Sequence, residues 1–275
     1  MLYNVRELKI KMLETKQWDF MFWAITAIGI LFLSIAPMTV LSPLLIVVFG
    51  IAFGLLIIVI LAPEDFNFLI NIYLIGFFIR IFLSYLFYIL SFIIKDKFSH
   101  PGFLFLNDGY PYSQQGWEIC KFAEKGIKVT MATFMNDPNM RNLWGSSGNI
   151  TLYDFFASHV YSVTGYSPLS LFFISSLAGS VAGLFIYLIA KELFSKNVAR
   201  ISAGFAFFWP SFIMWSTQNL KEPMIAMLTF IFLWAIFCMG RYFNALFLFL
   251  SLACLWVLFK VSFPISVMIA CAICF

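Results

Sequence analysis

One short stretch combines residue types that could bind and activate a substrate. It reads Phe-Leu-Asn-Asp-Gly-Tyr-Pro-Tyr from Phe105, and it places Asp108 in a tight turn beside Tyr110 and Tyr112. A partly desolvated acid can have the raised pKa that a general base needs, and aromatic rings are platforms for sugar rings or lipid headgroups. Asn and Asp also cap helices, so the local sequence leaves Asp108 as either a base or the cap of a helix that begins near Tyr112.

Lys221 and Glu222 form a second candidate pair. They lie at the end of the sequence Trp-Ser-Thr-Gln-Asn-Leu-Lys-Glu-Pro, in a turn between two apolar runs. A lysine in this position can hold a phosphate, and a carboxylate can position an acceptor or a cation. The same pair also fits an interfacial anchor followed by the first acid of a helix that starts at Pro223, and the two interpretations are compatible.

Arg80 lies in the middle of a long apolar run, about residues 68–94. An arginine at that depth in a membrane is costly unless it has a partner. The sequence leaves two interpretations open: a snorkelling or helix-paired arginine, or a cation aimed into a polar cavity, for example at a phosphate.

Membrane helices must position these residues. The chain is 63% hydrophobic and 11% charged, with a mean hydropathy of +0.95. Runs of about 20 apolar residues with almost no charge are typical of transmembrane helices. With so few charges, the net charge of +4 says little about nucleic acid, and no nucleic-acid partner is predicted. The pattern predicts an all-α polytopic membrane protein with about seven to eight transmembrane helices. The predicted spans are about 20–35, 40–61, 68–94, 169–190, 201–215, 224–239 and 243–259, with a shorter apolar stretch at 261–275.

The order of these segments divides the chain into four parts. Residues 1–18 form a basic amphipathic segment, 19–94 hold three predicted helices, 95–166 form a long polar loop, and 167–275 hold four to five more helices. The basic residues of the short loops predict a cytoplasmic N-terminus in the cell's inner membrane, which places the long loop outside. Because the last apolar stretch is short for a span, the pattern also predicts that the chain is truncated relative to a longer protein.

Several segments, taken in order, resemble the bacterial GT-C glycosyltransferases. These are multi-pass enzymes related to protein O-mannosyltransferases, aminoarabinose transferases and lipopolysaccharide core sugar transferases. The resemblance rests on the Asp108 loop, Gly-Tyr-Ser-Pro-Leu from Gly165, the run 186–200, Phe-Trp-Pro-Ser from Phe208, and Lys-Glu-Pro from Lys221. It covers roughly residues 100 to 260.

The resemblance implies a GT-C-like helical bundle whose long extracytoplasmic first loop contains short helices. It further implies an inverting hexosyl- or pentosyltransferase that takes a sugar from a polyprenyl-phosphate donor within the membrane and delivers it to a glycan, lipid or protein acceptor. Asp108 would be the general base. By their chemistry, Lys221 and Arg80 would bind the donor phosphate, while Tyr110, Tyr112 and Glu222 would position substrate.

Two other classes stay open: a flippase or polymerase of glycan precursors, and a non-catalytic membrane subunit or fragment. In the first of these, charges lining the membrane would matter more than the loop acid. The five cysteines lie mostly in apolar runs without metal-ligand spacing, so no metal site is predicted. No cofactor is predicted with certainty, although Asp108 and a donor phosphate could share a divalent cation.

Overall fold

The computed structural model describes residues 38–94, 102–104, 109–127, 150–241 and 244–262. Within these ranges the chain is helical and contains no strand, which confirms the predicted all-α class. The chain divides into two units, Met1–Leu41 and Ser42–Phe275, and the packing described below lies within the second. The basic segment 1–18, the first predicted span, the last apolar stretch and Asp108 lie outside the described residues.

Nine α-helices and one short 3-10 turn make up the described chain. In order they are α1 (Met38–Leu61), the 3-10 turn (Pro63–Asp65), α2 (Phe66–Ile93), α3 (Gly109–Glu124), α4 (Leu152–Thr164), α5 (Pro168–Leu193), α6 (Lys196–Phe208), α7 (Pro210–Ser216), α8 (Glu222–Arg241) and α9 (Ala245–Val261).

Four of the described helical segments are long and apolar enough to cross a membrane. They are Leu41–Leu61, Pro63–Ile93, Pro168–Leu193 and Glu222–Arg241. α6 and α7 add a fifth if this bent pair forms one span, and α9 is a shorter apolar helix. The chain is therefore a multi-pass membrane protein.

Helix α5 is the central helix, since 83% of its most apolar stretch is buried. It packs against α2, α6 and α8. Small residues on α5 allow this close approach, since a Cβ added at Gly183 would lie 3.0 Å from the Phe207 ring. Side-chain hydroxyls also join the helices: the Ser84 and Ser176 hydroxyl oxygens are 3.0 Å apart, connecting α2 to α5.

The predicted span 201–215 is broken between α6 and α7, whose axes differ by 54°. Proline has no backbone N–H and disfavours the helical conformation in the residue before it. Trp209 accordingly has extended dihedrals, φ −64° and ψ 119°, and Pro210 begins the next helix. The break leaves the last carbonyl groups of α6 without helical partners.

Helices α3 and α4 pack against each other in the part of the chain predicted to form the long loop. The contact is close, because a Cβ added at Gly116 would lie 2.7 Å from the Ala157 Cβ. A capping box between Thr151 and Asp154 begins α4, which satisfies backbone donors of its first turn. This helix pair supports the residues that lie near the start of α8.

Candidate functional site

Asn219 joins three parts of the chain at one point. The Tyr153 hydroxyl of α4 donates a hydrogen bond to Asn219 Oδ1 over 2.6 Å. The Asn219 side-chain amide donates to the Gly109 carbonyl, at the first residue of α3, over 2.9 Å. Since Asn219 is fully buried, both bonds are shielded from water and hold the 217–221 turn against α3 and α4.

Lys221 lies at the start of α8, and its carbonyl accepts the first bond of that helix from the Ile225 amide, over 3.0 Å. Its ammonium group is 5.2 Å from the centroid of the Tyr112 ring, a cation–π distance. Burial lowers the pKa of Lys221, but the hydrogen bond to Tyr112 and the charges of Glu222 and Asp154 outweigh it, so the pKa is raised overall. Lys221 is therefore a firmly protonated cation that is half-buried beside an aromatic ring.

Two carboxylates near Lys221 have an oxygen without a hydrogen-bond partner in the described part of the chain. They are Glu222, at Oε2, and Asp154, at Oδ1, and both atoms are buried. The other Asp154 oxygen, Oδ2, accepts from the Thr151 amide over 2.7 Å and from the Thr151 hydroxyl over 3.0 Å. Burial raises the pKa of Asp154 to about 6, although its bonds to Thr151 and the charge of Lys221 act in the opposite direction.

These residues are hereafter called the Lys221 cluster. Its members share mutual contacts or electrostatic interactions, and they are Tyr112, Tyr153, Asp154, Asn219, Lys221 and Glu222. The Tyr112 and Tyr153 rings pack edge to face with centroids 5.6 Å apart. The structure thus brings together three of the residues singled out in the sequence: Tyr112, Lys221 and Glu222.

Arg80 has a different environment. Its side chain is fully buried, and it donates to the Phe207 carbonyl over 3.0 Å, to the Ala206 carbonyl over 3.3 Å and to Ser216 Oγ over 2.9 Å. Arg80 therefore satisfies the carbonyl groups exposed by the α6–α7 break and ties them to the end of α7. This corresponds to the helix-paired interpretation, and the role of Arg80 at a donor phosphate stays a prediction.

Tyr110 and Asp108 complete the set of predicted site residues. The Tyr110 ring packs edge to face on Phe103, with centroids 5.6 Å apart. Asp108 lies outside the described residues, but it immediately precedes Gly109, whose carbonyl contacts Asn219. Their roles in catalysis and in substrate positioning stay predictions.

Sequence analysis did not single out Asp154 or Asn219 as site residues. The Thr-x-x-Asp spacing is a recognisable start of a helix, but nothing in that spacing indicates that the second carboxylate oxygen stays unpartnered. Asn219 has the sequence context of an ordinary turn residue. Its two partners are 66 and 110 residues away in the sequence, so only the folded chain identifies its role.

The side chains of the cluster have the chemistry to bind a phosphate and hydroxyl groups. Among the described residues, no group of three or more His, Cys, Asp or Glu side chains could hold a metal. A protonated lysine can pair with a phosphate, and a carboxylate oxygen can accept a hydrogen bond from a hydroxyl group.

Comparison with known proteins agrees with this chemistry. Residues 151–275, which include α4 to α9 and most of the Lys221 cluster, match the family model described as dolichyl-phosphate-mannose-protein mannosyltransferase. No curated protein and no solved structure gives a significant match. The family match supports a membrane glycosyltransferase of the GT-C superfamily.

Proposed function

Starting from a membrane glycosyltransferase of GT-C type, we propose that this chain transfers a sugar from a polyprenyl-phosphate donor to an acceptor on the extracytoplasmic face of the inner membrane, with the N-terminus in the cytoplasm. The acceptor is a glycan, a lipid or a protein. The single observation that carries the proposal is the half-buried, protonated Lys221 at the start of a predicted membrane span. It lies beside two carboxylates that each have an oxygen without a partner among the described residues.

Lys221 would bind the phosphate of the donor. A polyprenyl chain keeps its phosphate at the membrane surface, and Lys221 directly precedes the apolar helix Glu222–Arg241. The amide groups of a helix N-terminus also favour an anion, so the start of α8 would add to the attraction of the ammonium group.

Asp108 would be the general base. It is one residue from Gly109, and consecutive Cα atoms are about 3.8 Å apart across a trans peptide bond. Asn219 donates a hydrogen bond to the carbonyl of the next residue, Gly109, at the edge of the Lys221 cluster, and this supports the proposal that Asp108 acts beside that cluster. A base near the donor phosphate is also near the anomeric carbon to which that phosphate is attached.

In the proposed reaction, Asp108 takes the proton from the acceptor nucleophile as that nucleophile attacks the anomeric carbon. The new glycosidic bond forms on one face while the bond from carbon to phosphate oxygen breaks on the other. The electron pair goes to the leaving polyprenyl phosphate, and the configuration at the anomeric carbon is inverted. Lys221 would stabilise the negative charge that develops on that phosphate.

The other predicted residues have supporting roles. Glu222, through its unpartnered oxygen, and the rings of Tyr110 and Tyr112 would position the substrates. Arg80 would act through α7, because its bond to Ser216 holds the segment that leads to Lys221. Its positive charge would also favour the negatively charged donor phosphate.

The test is sugar transfer in membranes that contain the chain, supplied with polyprenyl-phosphate sugars. We expect Asp108→Asn and Lys221→Met each to lower transfer per folded molecule by about 100-fold or more, the range typical of a lost general base or a lost charge-stabilising donor.

Lys196→Met is the matched control. It removes the same charge from the start of α6, at the opposite end of the α6–α7 pair, and it should leave transfer per folded molecule unchanged. Equal activity in the wild type, Asp108→Asn and Lys221→Met would contradict the proposal, and so would an absence of transfer from every donor.

A further inference from the structure

The second oxygen of Asp154 is not explained by the structural role of that residue. Asp154 is fully buried, and its Oδ2 atom accepts hydrogen bonds from both the Thr151 amide, a bond of the capping box, and the Thr151 hydroxyl. Its Oδ1 atom is buried and has no hydrogen-bond partner among the residues that the structure describes. A buried polar atom without a hydrogen bond is unfavourable, so the capping role alone does not account for this oxygen.

The surroundings of Asp154 indicate which kind of partner is missing. The charge of Asp154 acts on Lys221 and on Tyr153, so its carboxylate lies within electrostatic range of the ammonium group. Glu222, the residue after Lys221, likewise has a buried oxygen, Oε2, without a partner among the described residues. A carboxylate oxygen is an acceptor and requires a donor, whereas a phosphate offers only acceptors when ionised.

We infer that Asp154 binds a hydroxyl group of the donor sugar, with the hydroxyl donating a hydrogen bond to Oδ1 while Lys221 holds the phosphate of the same donor. The inference rests on the proposed function and assigns the sugar subsite within it. Glu222 accepts a second hydroxyl at Oε2. Asp154 touches the sugar and not the bond that breaks, so it determines binding and specificity rather than proton transfer.

The expected effect follows from the strength of such a bond. A hydrogen bond to a charged group contributes about 1.5–3 kcal/mol, equivalent to roughly 10- to 150-fold in a dissociation constant. Because the bond involves the sugar alone, it should strengthen binding of a sugar-bearing donor and have no effect on bare polyprenyl phosphate.

The experiment measures binding of undecaprenyl phosphate, and of undecaprenyl-phosphate mannose, glucose, galactose and arabinose, to the purified full chain in lipid nanodiscs. The quantity of interest is the ratio of the dissociation constant of the bare phosphate to that of the best sugar-bearing donor. We expect a ratio well above 1 for the wild type. For Asp154→Asn the ratio should fall at least tenfold, with binding of the bare phosphate nearly unchanged.

Thr151→Ala is the matched control for the capping role. It removes the 3.0 Å hydroxyl bond of the cap but leaves Oδ1 of Asp154 in place, so it should weaken α4 without changing the ratio. An equal fall of the ratio in Thr151→Ala and Asp154→Asn would show that Asp154 acts only as a cap.

The remaining outcomes separate the inference from the proposed function. If the wild type binds undecaprenyl phosphate and Asp154→Asn keeps the full sugar-dependent ratio, the inference is wrong and the proposed function stands. The inference is also wrong, with the proposed function intact, if none of the sugars strengthens binding to the wild type. If the wild type binds neither the bare phosphate nor any sugar-bearing donor, both proposals fail together.

Discussion

Two buried aspartates, Asp65 and Asp154, occupy contrasting environments in this chain. Asp65 is 3% exposed and both of its oxygens have partners: Oδ2 accepts from the Tyr187 hydroxyl, and Oδ1 pairs with Lys196 and Arg200 over 2.6 Å each. Asp154 is 0% exposed, and one of its oxygens has no partner within the described ranges. Within those ranges, both oxygens of Asp65 are hydrogen-bonded or ion-paired, whereas only one oxygen of Asp154 is.

The four residues Asp65, Tyr187, Lys196 and Arg200 are called here the Asp65 cluster. They join the 3-10 turn before α2 to the end of α5 and the start of α6, so their bonds fix how these helices meet. The Lys221 cluster lies at the other end of the α6–α7 pair. The contrast therefore concerns the carboxylates: Asp65 anchors helices, whereas Asp154 and Glu222 each keep an acceptor oxygen that a ligand could use. In the Asp65 cluster, Arg200 Nε also has no partner among the described residues.

The largest expected effect comes from Asn219→Ala. The substitution removes two buried hydrogen bonds, one from the Tyr153 hydroxyl and one to the Gly109 carbonyl, so we expect the free energy of unfolding to fall by about 1–3 kcal/mol. Transfer per folded molecule should also fall, because the start of α3 is released.

Tyr187→Phe is the counterpart at the Asp65 cluster, since it removes one buried hydroxyl partner. It should lower stability less and leave transfer per folded molecule unchanged. Denaturant unfolding and transfer assays on the same preparations measure both effects. If folded Asn219→Ala transferred sugar as well as the wild type does, the Lys221 cluster would not differ from the Asp65 cluster in function.

Asp65→Asn should have the next largest effect, and it should affect stability alone. The substitution weakens the pairs with Lys196 and Arg200, whose side chains are 48% and 40% exposed. Water can therefore solvate both cations in the variant, so we expect the loss of stability to appear as a fall of only a few degrees in Tm. A changed KM for the donor in this variant would contradict the assignment of the Asp65 cluster to anchoring.

The pH dependence of stability should separate Asp154→Asn from the wild type. The pKa of Asp154 is about 6 in the folded chain, above its ordinary value, so the folded state holds a proton that the unfolded state releases. Stability contributed by this group is thus greatest at low pH and is lost as the pH rises through about 6. We expect Asp154→Asn to be stabilised relative to the wild type at pH 7.5, with a smaller difference at pH 5.

Thermal unfolding at the two pH values measures this difference, and Thr151→Ala serves as the control because it retains the carboxylate. If the difference between Asp154→Asn and the wild type were the same at both pH values, Asp154 would not be a destabilising buried acid.

The smallest expected effect is that of Lys191→Ala. Lys191 pairs with Glu64 beside the Asp65 cluster, and the two side chains are 30% and 46% exposed. Pairs of this kind contribute between 0 and about 1 kcal/mol and are screened by salt. Unfolding at low and high salt should give a small, salt-dependent difference, and a large salt-independent loss would mean that the anchoring extends beyond Asp65.

The sequence alone was sufficient for the all-α membrane class and for the pair Lys221–Glu222 in a turn before an apolar helix. Both depend on local signals, since hydropathy and turn residues are read over short windows. The break in the span 201–215 could also have been predicted from the sequence, because Pro210 disfavours a continuous helix there.

Only the tertiary structure decided how the polar groups are satisfied. Arg80 donates to acceptors on Ala206, Phe207 and Ser216, 126 to 136 residues along the chain, which distinguishes a helix-paired arginine from one in an open cavity. Asp154 differs from Asp65 only in the neighbours that the fold supplies. Whether a buried oxygen has a hydrogen-bond partner depends on packing between distant segments, and no local pattern of residue types encodes it.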